Sequence, residues 1–259
     1  MKKEIMSEID NQKLASGNQK SENWFASWFD TDYYHILYKD RNDDEAQQFM
    51  DNLTHYLNLP EEAKILDLAC GKGRHSIYLN SLGFDVTGSD LSANSIAEAA
   101  KSSNETLQFK VHDMRDSFEE KYDAIFNLFT SFGYFESDAD NLKTLISIKE
   151  SLTEYGFAVI DFMNVDYVIA NLIPSEIKTV DGIDFHIKRY VKDNHIFKEI
   201  DFEDKGEKFH FTEKVQALRL ADFEAMMEEA GIYLLDVFGD YKLKTFYKNQ
   251  SGRLIMIFK

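Results

Sequence analysis

The feature that most constrains this chain is a regular alternation of short β-rich runs with longer helical patterns between residues 64 and 161. Two parallel strands need a long crossover connection, usually a helix, so this alternation predicts βαβ units around a parallel sheet. The predicted strands are residues 64–68, 85–89, 108–112, 122–126 and 157–161. The predicted helices are residues 74–82, 93–101, with Ser92 as N-cap, and 142–152.

After residue 164 the pattern changes. A short helical piece reaches residue 172, and the runs 185–191, 195–202 and 207–218 then alternate like antiparallel strands. A helix over 221–230, ended by Gly231, precedes two final strands over 233–238 and 253–258. Because the connection between these two strands is too short for a packed crossover helix, we expect them to be antiparallel neighbours.

The 259 residues suffice for one or two domains, and 44% of them are hydrophobic, which is enough for a sizeable core. We predict a flexible leader (1–22) followed by a single domain (23–259). Its predicted parts are an N-terminal lid or set of accessory helices (23–60), a cofactor-binding core (61–164), a substrate-side insert (165–220) and a C-terminal helix with the last two strands (221–259).

The charge of the chain argues against a nucleic-acid partner. There are 29 Lys and Arg against 46 Asp and Glu, a net charge of −17, whereas phosphate binding needs clustered cations. The single cysteine, Cys70, cannot form an intramolecular disulfide, and no Cys/His pairs have the spacing of a metal site. No apolar run approaches a membrane span of about 18 residues. We therefore expect a soluble cytoplasmic protein without a metal or membrane partner.

A ligand-binding motif lies at the ends of the first two predicted strands. The first strand contains Asp67 and leads into the turn Gly71-Lys72-Gly73, which opens a helix. Asp90 ends the second strand, nineteen positions after Gly71. That is the spacing expected for a carboxylate that binds both hydroxyls of a ribose. Together the two halves predict a nucleoside-containing cofactor.

Charge distinguishes between the possible cofactors. A dinucleotide site uses a third glycine for close helix packing and presents a helix N-terminus to a pyrophosphate, but here the third position is Ser76. The Asp67 carboxylate would repel a pyrophosphate and attract a cation. S-adenosylmethionine carries an ammonium and a sulfonium and no phosphate, so it fits better than NAD. The alternative for Asp67 is a helix or turn cap.

Four segments, residues 66–75, 86–92, 111–115 and 126–135, resemble in order and spacing the motifs of class I S-adenosylmethionine-dependent methyltransferases. The form Cys-Gly-x-Gly-Arg at 70–74 is similar to bacterial members that act on small molecules. The resemblance implies an α/β, Rossmann-like fold: a seven-stranded, mostly parallel sheet with an antiparallel last strand, plus a small antiparallel β insert after strand five.

The resemblance also implies residue roles. In the family, residues matching Asp67, Gly71 and Gly73 hold the methionine moiety, Asp90 holds the ribose, and Asp113 with Met114 contacts adenine. The backbone of residues 127–129 would lie beneath the sulfonium. The predicted cofactor site comprises Asp67, Ala69, Cys70, Gly71, Gly73, Arg74, Asp90, Leu91, Asp113, Met114, Asn127, Leu128, Phe129, Tyr33, Tyr34 and Arg41.

The N-terminal aromatic stretch, residues 24–38, is the hypothesised lid. In this hypothesis Tyr33 or Tyr34 lies near the methyl group, and Arg41 or Arg74 lies near the methionine carboxylate, which a cation would neutralise. The alternatives are core packing of an accessory helix for the aromatic residues and a helix-surface position for Arg74.

One departure from a related pattern bears on the acceptor. Enzymes that methylate adenine amino groups in nucleic acids carry Asn/Asp-Pro-Pro-Tyr/Phe after strand four, where this chain has Asn127-Leu128-Phe129-Thr130. The predicted function is therefore transfer of a methyl group, by in-line displacement, to a small molecule whose identity and accepting atom stay open. The alternatives are an S-adenosylmethionine-binding module without turnover and an NAD-dependent oxidoreductase.

The catalytic residues and the oligomeric state also stay open. Displacement at a sulfonium depends mainly on positioning, and only some nucleophiles need a base. The candidates for such a base, none of them assigned, are His186, His195, His210, Tyr134 and Asp161.

Overall fold

The computed structural model describes residues 28–39 and 43–259. Two N-terminal helices, α1 (Asp32–Leu37) and α2 (Asp43–Tyr56), precede the sheet. The core elements are β1 (Lys64–Leu68), α3 (Arg74–Ser81), β2 (Asp85–Asp90), α4 (Ala93–Ala99), a 3₁₀ turn (Ala100–Ser102), β3 (Leu107–Val111), β4 (Tyr122–Asn127), α5 (Asp138–Ser151) and β5 (Leu152–Met163). The remaining elements are α6 (Val165–Ala170), β6 (Ser175–Val180), β7 (Ile183–Lys192), β8 (His195–Asp204), β9 (Glu207–Gln216), α7 (Leu220–Ala230), β10 (Leu234–Phe238) and β11 (Arg253–Phe258).

The main sheet has seven strands in the order β3-β2-β1-β4-β5-β11-β10. Strands β1 to β5 pair in parallel, whereas β11 runs antiparallel to both of its neighbours. This architecture confirms the predicted fold, including the antiparallel pairing of the last two strands.

Helices cover both faces of the main sheet. Strand β4 reads as an almost continuous apolar run because Ala124, Ile125 and Phe126 are all at most 1% exposed. One face packs under α5 and α7, and the other under α2 and α3. The sheet is therefore buried on both faces, and the loops at the carboxyl ends of its parallel strands share one edge, where ligands bind in open α/β sheets.

The insert forms a second, four-stranded antiparallel sheet in the order β6-β7-β8-β9. Three of these strands were predicted, whereas β6 was missed. Strand β6 reads Ser-Glu-Ile-Lys-Thr-Val and has only two apolar residues, Ile177 and Val180, so its sequence lacks the apolar content that marks a strand. It follows Pro174 at the edge of the sheet, a position that proline tolerates.

Residues 28–39, called the N-terminal segment below, pack on the insert. Trp28 and Leu37, each 1% exposed, join Phe185, Ile200 and Phe202 of the insert strands in one apolar cluster. For these two residues the structure agrees with the alternative interpretation, the packing of an accessory helix. Burying such large side chains is the main source of stability for a helix as short as α1.

Local details agree with the sequence patterns, with small shifts of element ends. The Ser92 side chain caps α4 by accepting the Ser95 N–H at 2.9 Å, and Gly231 ends α7 with φ of +65°. Strand β5 begins at Leu152, five residues earlier than predicted, and its pairing with β4 shifts register after Tyr122.

Within residues 28–39 and 43–259, no helix combines the length and the apolar character that crossing a bilayer requires.

Candidate functional site

A cavity of about 650 Å³ opens at the carboxyl edge of the main sheet, between the ends of the parallel strands, α1 and the insert. Its volume lies in the range typical of small-molecule sites. The predicted residues that line it are Asp67, Ala69, Cys70, Gly71, Arg74, Asp90, Leu91, Asp113, Met114, Leu128, Phe129 and Tyr34. Gly73, Asn127 and Tyr33 do not line it, and Arg41 lies outside the described residues.

Asp67 places a buried carboxylate at the floor of the cavity. Its side chain is 2% exposed, and Oδ2 accepts a hydrogen bond of 2.6 Å from the Ser76 hydroxyl. Burial raises the pKa of Asp67 to about 6, although the Ser76 bond acts in the opposite direction. Ser76 thus occupies the third-glycine position of a dinucleotide site and there orients an acid. A buried carboxylate of this kind would be stabilised by a bound cation.

Asp90 is held by backbone groups from two loops. Its Oδ2 accepts the Gly71 N–H at 2.8 Å, and its Oδ1 accepts the Ser92 N–H at 2.9 Å. Burial raises the pKa of Asp90, and the two backbone bonds counteract that effect. Since each carboxylate oxygen has two lone pairs, the orientation is set while acceptor capacity is left for two hydroxyl donors.

The two glycines of the turn serve different purposes. Gly71 has φ of +55°, and a Cβ built there would have no atom within 4 Å, so a ligand can approach its backbone closely. Gly73 has φ of +79°, and its Cβ would lie 2.5 Å from the Phe109 ring. Both glycines are predicted cofactor contacts, but Gly73 does not line the cavity and instead allows α3 to pack closely against β3.

Asp113 is bound by a neighbouring arginine that the sequence analysis did not single out. Arg115 Nη2 donates to Oδ2 at 2.7 Å, and its Nε donates to Oδ1 at 3.0 Å. The hydrogen bonds from Arg115 hold the pKa of Asp113 below its ordinary value. Arg115 also pairs with Asp140 and lies 4.7 Å from the centre of the Phe135 ring. This network presents Asp113 as an ionised hydrogen-bond acceptor at the cavity wall.

The segment after β4 forms another wall. Leu128 and Phe129 line the cavity, and the Phe129 ring stacks on His75 with centroids 4.6 Å apart. Asn127 is completely buried instead, and its Nδ2 donates to the Leu68 carbonyl at 3.0 Å, which ties β4 to β1. His75 and His112 also line the cavity and were not among the predicted site residues, although His75 directly follows Arg74 and His112 directly precedes Asp113.

The N-terminal tyrosines take different positions. Tyr34 lines the cavity, whereas Tyr33 packs on Phe202 and Phe209 of the insert and donates to Asp204 at 2.9 Å. Tyr33 therefore holds α1 on the insert and does not reach the cavity.

Arg74 lines the cavity and forms an ion pair with Asp43 at the start of α2. This arginine thus links the helix that follows the glycine turn to the N-terminal helices. Its side chain is not a simple helix-surface residue.

Glu213, on β9 of the insert, is a cavity residue that the sequence analysis missed. Its Oε1 accepts the Trp28 indole N–H at 2.8 Å and the Tyr38 hydroxyl at 2.7 Å, and Lys198 Nζ lies 3.7 Å from Oε2. Alternation along β9 shows that Glu213 shares a face with every second residue. It does not show what that face meets, so no local signal marks this position.

Of the five candidate bases, Tyr134 lines the cavity and the other four do not. His186, His195 and His210 lie on insert strands and do not line the cavity. Tyr134 lines it and donates its hydroxyl to the Thr130 carbonyl at 2.7 Å. Asp161 is fully buried, does not line the cavity and accepts hydrogen bonds from the Arg253 side chain at 2.7 Å and the Phe129 N–H at 2.8 Å.

The polar groups that face the cavity fit a cationic nucleoside. Three carboxylates at successive strand ends face the cavity, one of them buried and oriented by a hydroxyl, and a glycine backbone leaves open space beside them. Carboxylates suit an ammonium, a sulfonium and ribose hydroxyls, whereas they would repel phosphate groups.

Comparisons with known proteins identify the family of the chain and similar folds. The family model described as "Tellurite resistance protein TehB" matches residues 30–221. The protein YqeM of Bacillus subtilis (strain 168) is 36% identical over 121 residues, which are 45% of this chain and 49% of YqeM. This chain thus aligns with only about half the length of that relative.

Two further matches cover more of the chain. A glycine/sarcosine N-methyltransferase of Halorhodospira halochloris is 28% identical over 188 residues, 69% of each protein. A solved structure of an S-adenosylmethionine-dependent methyltransferase from Clostridium acetobutylicum ATCC 824 superposes with a TM-score of 0.75 at 21% identity, covering 92% of this chain and 98% of that one.

Proposed function

This chain belongs to the TehB family, and we propose that it is an S-adenosylmethionine-dependent methyltransferase whose acceptor is the nitrogen of a small amine. The observation that carries the proposal is the composition of the cavity on the side of α1 and the insert. Aromatic rings and the Glu213 carboxylate lie there together.

The cofactor side of the cavity, formed by Asp67, Gly71, Asp90 and Asp113, would bind and orient S-adenosylmethionine. We assign the Asp90 carboxylate to the ribose hydroxyls, because Gly71 and Ser92 fix its direction and leave acceptor sites on both oxygens. We assign Asp67 to the positive charge of the cofactor and Asp113 to the adenine amino group. When bound, S-adenosylmethionine supplies an activated methyl group, which leaves behind a neutral thioether.

The acceptor side suits an amine for two physical reasons. Faces of aromatic rings attract ammonium and methylammonium groups, and Phe29, Tyr34 and Tyr134 contribute such rings to the cavity, whereas the Tyr38 ring already has Lys198 Nζ 4.5 Å from its centre. Glu213 adds a carboxylate that can accept an N–H and orient the nitrogen. Because a neutral amine already carries its lone pair, the residues need only position it and take up one proton.

The relatives support the same acceptor class. The Halorhodospira halochloris protein is, by its name, an N-methyltransferase of glycine and sarcosine, both small amines. The net charge of −17 weighs against a polyanionic acceptor.

A methyl-transfer screen tests the proposal. The purified chain is incubated with S-adenosylmethionine labelled in the methyl carbon and with matched panels of small amines, phenols, carboxylic acids, bulk RNA and bulk DNA. We expect label to appear in one or more amines. Transfer only to phenols, acids or nucleic acid would contradict the proposal, as would cofactor binding without transfer to any panel.

A further inference from the structure

The wall after β4 adopts an unusual backbone conformation. Phe129 and Thr130 have φ of +58° and +63°, two consecutive non-glycine residues in the left-handed region. For a β-branched residue such as Thr130 this conformation is a genuine outlier. Strained backbone of this kind persists only where the surroundings impose it, and such positions cluster at functional sites.

The surroundings that impose this conformation are Asp161 and Arg253. Asp161 accepts the Phe129 N–H through its side chain at 2.8 Å and the Thr130 N–H through its backbone carbonyl at 3.0 Å. Arg253 donates through Nε to Asp161 at 2.7 Å and through Nη2 to the Thr130 hydroxyl at 2.9 Å. The Tyr241 ring lies beneath the guanidinium, 5.5 Å from Cζ to the ring centre.

Asp161 and Arg253 contact a segment that lines the cavity, so their effect extends beyond the core. Phe129, Thr130 and Ser131 all line the cavity. At one end the Phe129 ring stacks on His75, which follows the glycine turn of the cofactor side. At the other end the Thr130 carbonyl accepts the hydroxyl of Tyr134, on the acceptor side. The strained segment therefore connects the two sides of the cavity.

Stability alone is a poor explanation for the pair. A buried ion pair can often be replaced by apolar residues of similar volume without loss of stability, because desolvation offsets the attraction between the charges. Asp161 is 0% exposed, and the Arg253 side chain is 21% exposed, so that the cost of desolvation is substantial here.

We propose that Asp161 and Arg253 are positioning residues that hold Phe129 to Ser131 in the conformation required of the cavity wall facing the transferred methyl group. Neither residue touches the cavity itself. The proposal rests on the cofactor and not on the identity of the acceptor, so it can be tested without an acceptor.

The test uses S-adenosylmethionine labelled with ¹³C in the methyl group and the variants Arg253→Lys and Asp161→Asn. Lysine keeps the charge but lacks the planar fork that reaches both Asp161 and Thr130. The control is Ile257→Ala, which removes buried side-chain atoms from the same strand, toward its other end. For each protein we would measure the methyl resonance of the bound cofactor, its dissociation constant, that of S-adenosylhomocysteine, and the unfolding midpoint.

We expect both variants to displace the bound methyl resonance. Affinity for S-adenosylmethionine should fall, relative to that for S-adenosylhomocysteine, by about tenfold, the equivalent of one charge-assisted hydrogen bond. The control should lose stability but keep the wild-type resonance and affinity ratio. An unchanged resonance in both variants, or an equal displacement in Ile257→Ala, would overturn the proposal.

Thr130→Gly provides a second route if Arg253→Lys fails to fold. Glycine adopts positive φ without strain, so the segment should depend less on Arg253. The double variant Arg253→Lys/Thr130→Gly should fold and show a methyl resonance closer to wild type than that of Asp161→Asn. A double variant as displaced as Asp161→Asn would contradict the positioning role.

Discussion

The two sides of the cavity are built in different ways. On the cofactor side, the ends of β1, β2 and β3 present Asp67, Asp90 and Asp113, and short loops orient them. The acceptor side depends on contacts between distant parts of the chain, such as the bond from Trp28 to Glu213, 185 positions apart. The cofactor side is thus a property of the fold itself, whereas the acceptor side can change with the insert while the sheet stays the same.

The sharpest way to separate the two sides is Asp90→Ala. Removing a carboxylate assigned to two ribose hydroxyls should weaken S-adenosylmethionine binding by about 100-fold or more, because hydrogen bonds to charged groups contribute about 1.5–3 kcal/mol each. Calorimetric titration measures this change. Asp85→Ala, at the other end of the same strand, is the control and should bind normally. A change of less than threefold in Asp90→Ala would remove the ribose assignment.

The buried Asp67 carboxyl makes both stability and cofactor binding depend on pH. Its pKa in the free protein is about 6, against an ordinary value of 3.8, so that between these values the folded protein holds a proton that the unfolded chain releases. This contribution to stability is complete below pH 3.8 and is lost as the pH rises through about 6.

A bound cation favours the ionised carboxylate, so binding of the cofactor below pH 6 must release that proton. Affinity should therefore fall by about tenfold between pH 7.5 and pH 5, measured by titration at each pH. Asp67→Asn should bind more weakly at neutral pH and lose this dependence. A wild-type affinity that stays constant over this range would contradict the assignment.

On the acceptor side, the charge of Glu213 should have a smaller effect. Glu213→Gln keeps an oxygen for Trp28 and Tyr38 but removes the charge. The kcat/KM for an amine acceptor should fall by about fivefold, the scale of one partly exposed charge interaction, while cofactor affinity stays constant. Steady-state kinetics with the best amine from the screen measures this effect, with Glu207→Gln, exposed at the start of the same strand, as the control. Equal losses in the two variants would exclude a specific role.

The smallest effect on cofactor affinity is expected at Asp30, where the N-terminal segment contacts the loop and helix after β2. Asp30 accepts hydrogen bonds from Ser92 and from Asn94, the latter at 3.0 Å, beside the cofactor side. Because these contacts are exposed, Asp30→Ala should raise the dissociation constant for S-adenosylmethionine by only about twofold. Calorimetric titration, with Asp32→Ala as control, measures the change. An increase of more than tenfold in the dissociation constant would show that the N-terminal segment is part of the cofactor side.

The difference between the two sides also explains what could be predicted from the sequence. Asp67, the glycine turn and Asp90 lie within 24 consecutive residues, and the strand–turn–helix pattern around them predicts their juxtaposition. The roles of Gly73 and Tyr33 could not be predicted from the sequence. Gly73 avoids the Phe109 ring, and Tyr33 binds Asp204, and both partners come from other parts of the chain.

Asp161 illustrates the same limit within the core. Its place in β5 was predicted, and from position alone it was a candidate base. Only the packed structure shows that β11 brings Arg253 against it and that the pair holds the backbone of Phe129 and Thr130.

The sequence by itself determined the parallel sheet, the antiparallel pairing of the last two strands and the carboxylates at the strand ends, because these follow from hydrophobic periodicity, the length of one connection and local turn chemistry. The tertiary structure decided which side chains enclose the acceptor and which ones orient the wall between the two sides. Alternation along a strand separates its two faces but does not say what either face meets, since that depends on long-range packing of the insert and the N-terminal segment.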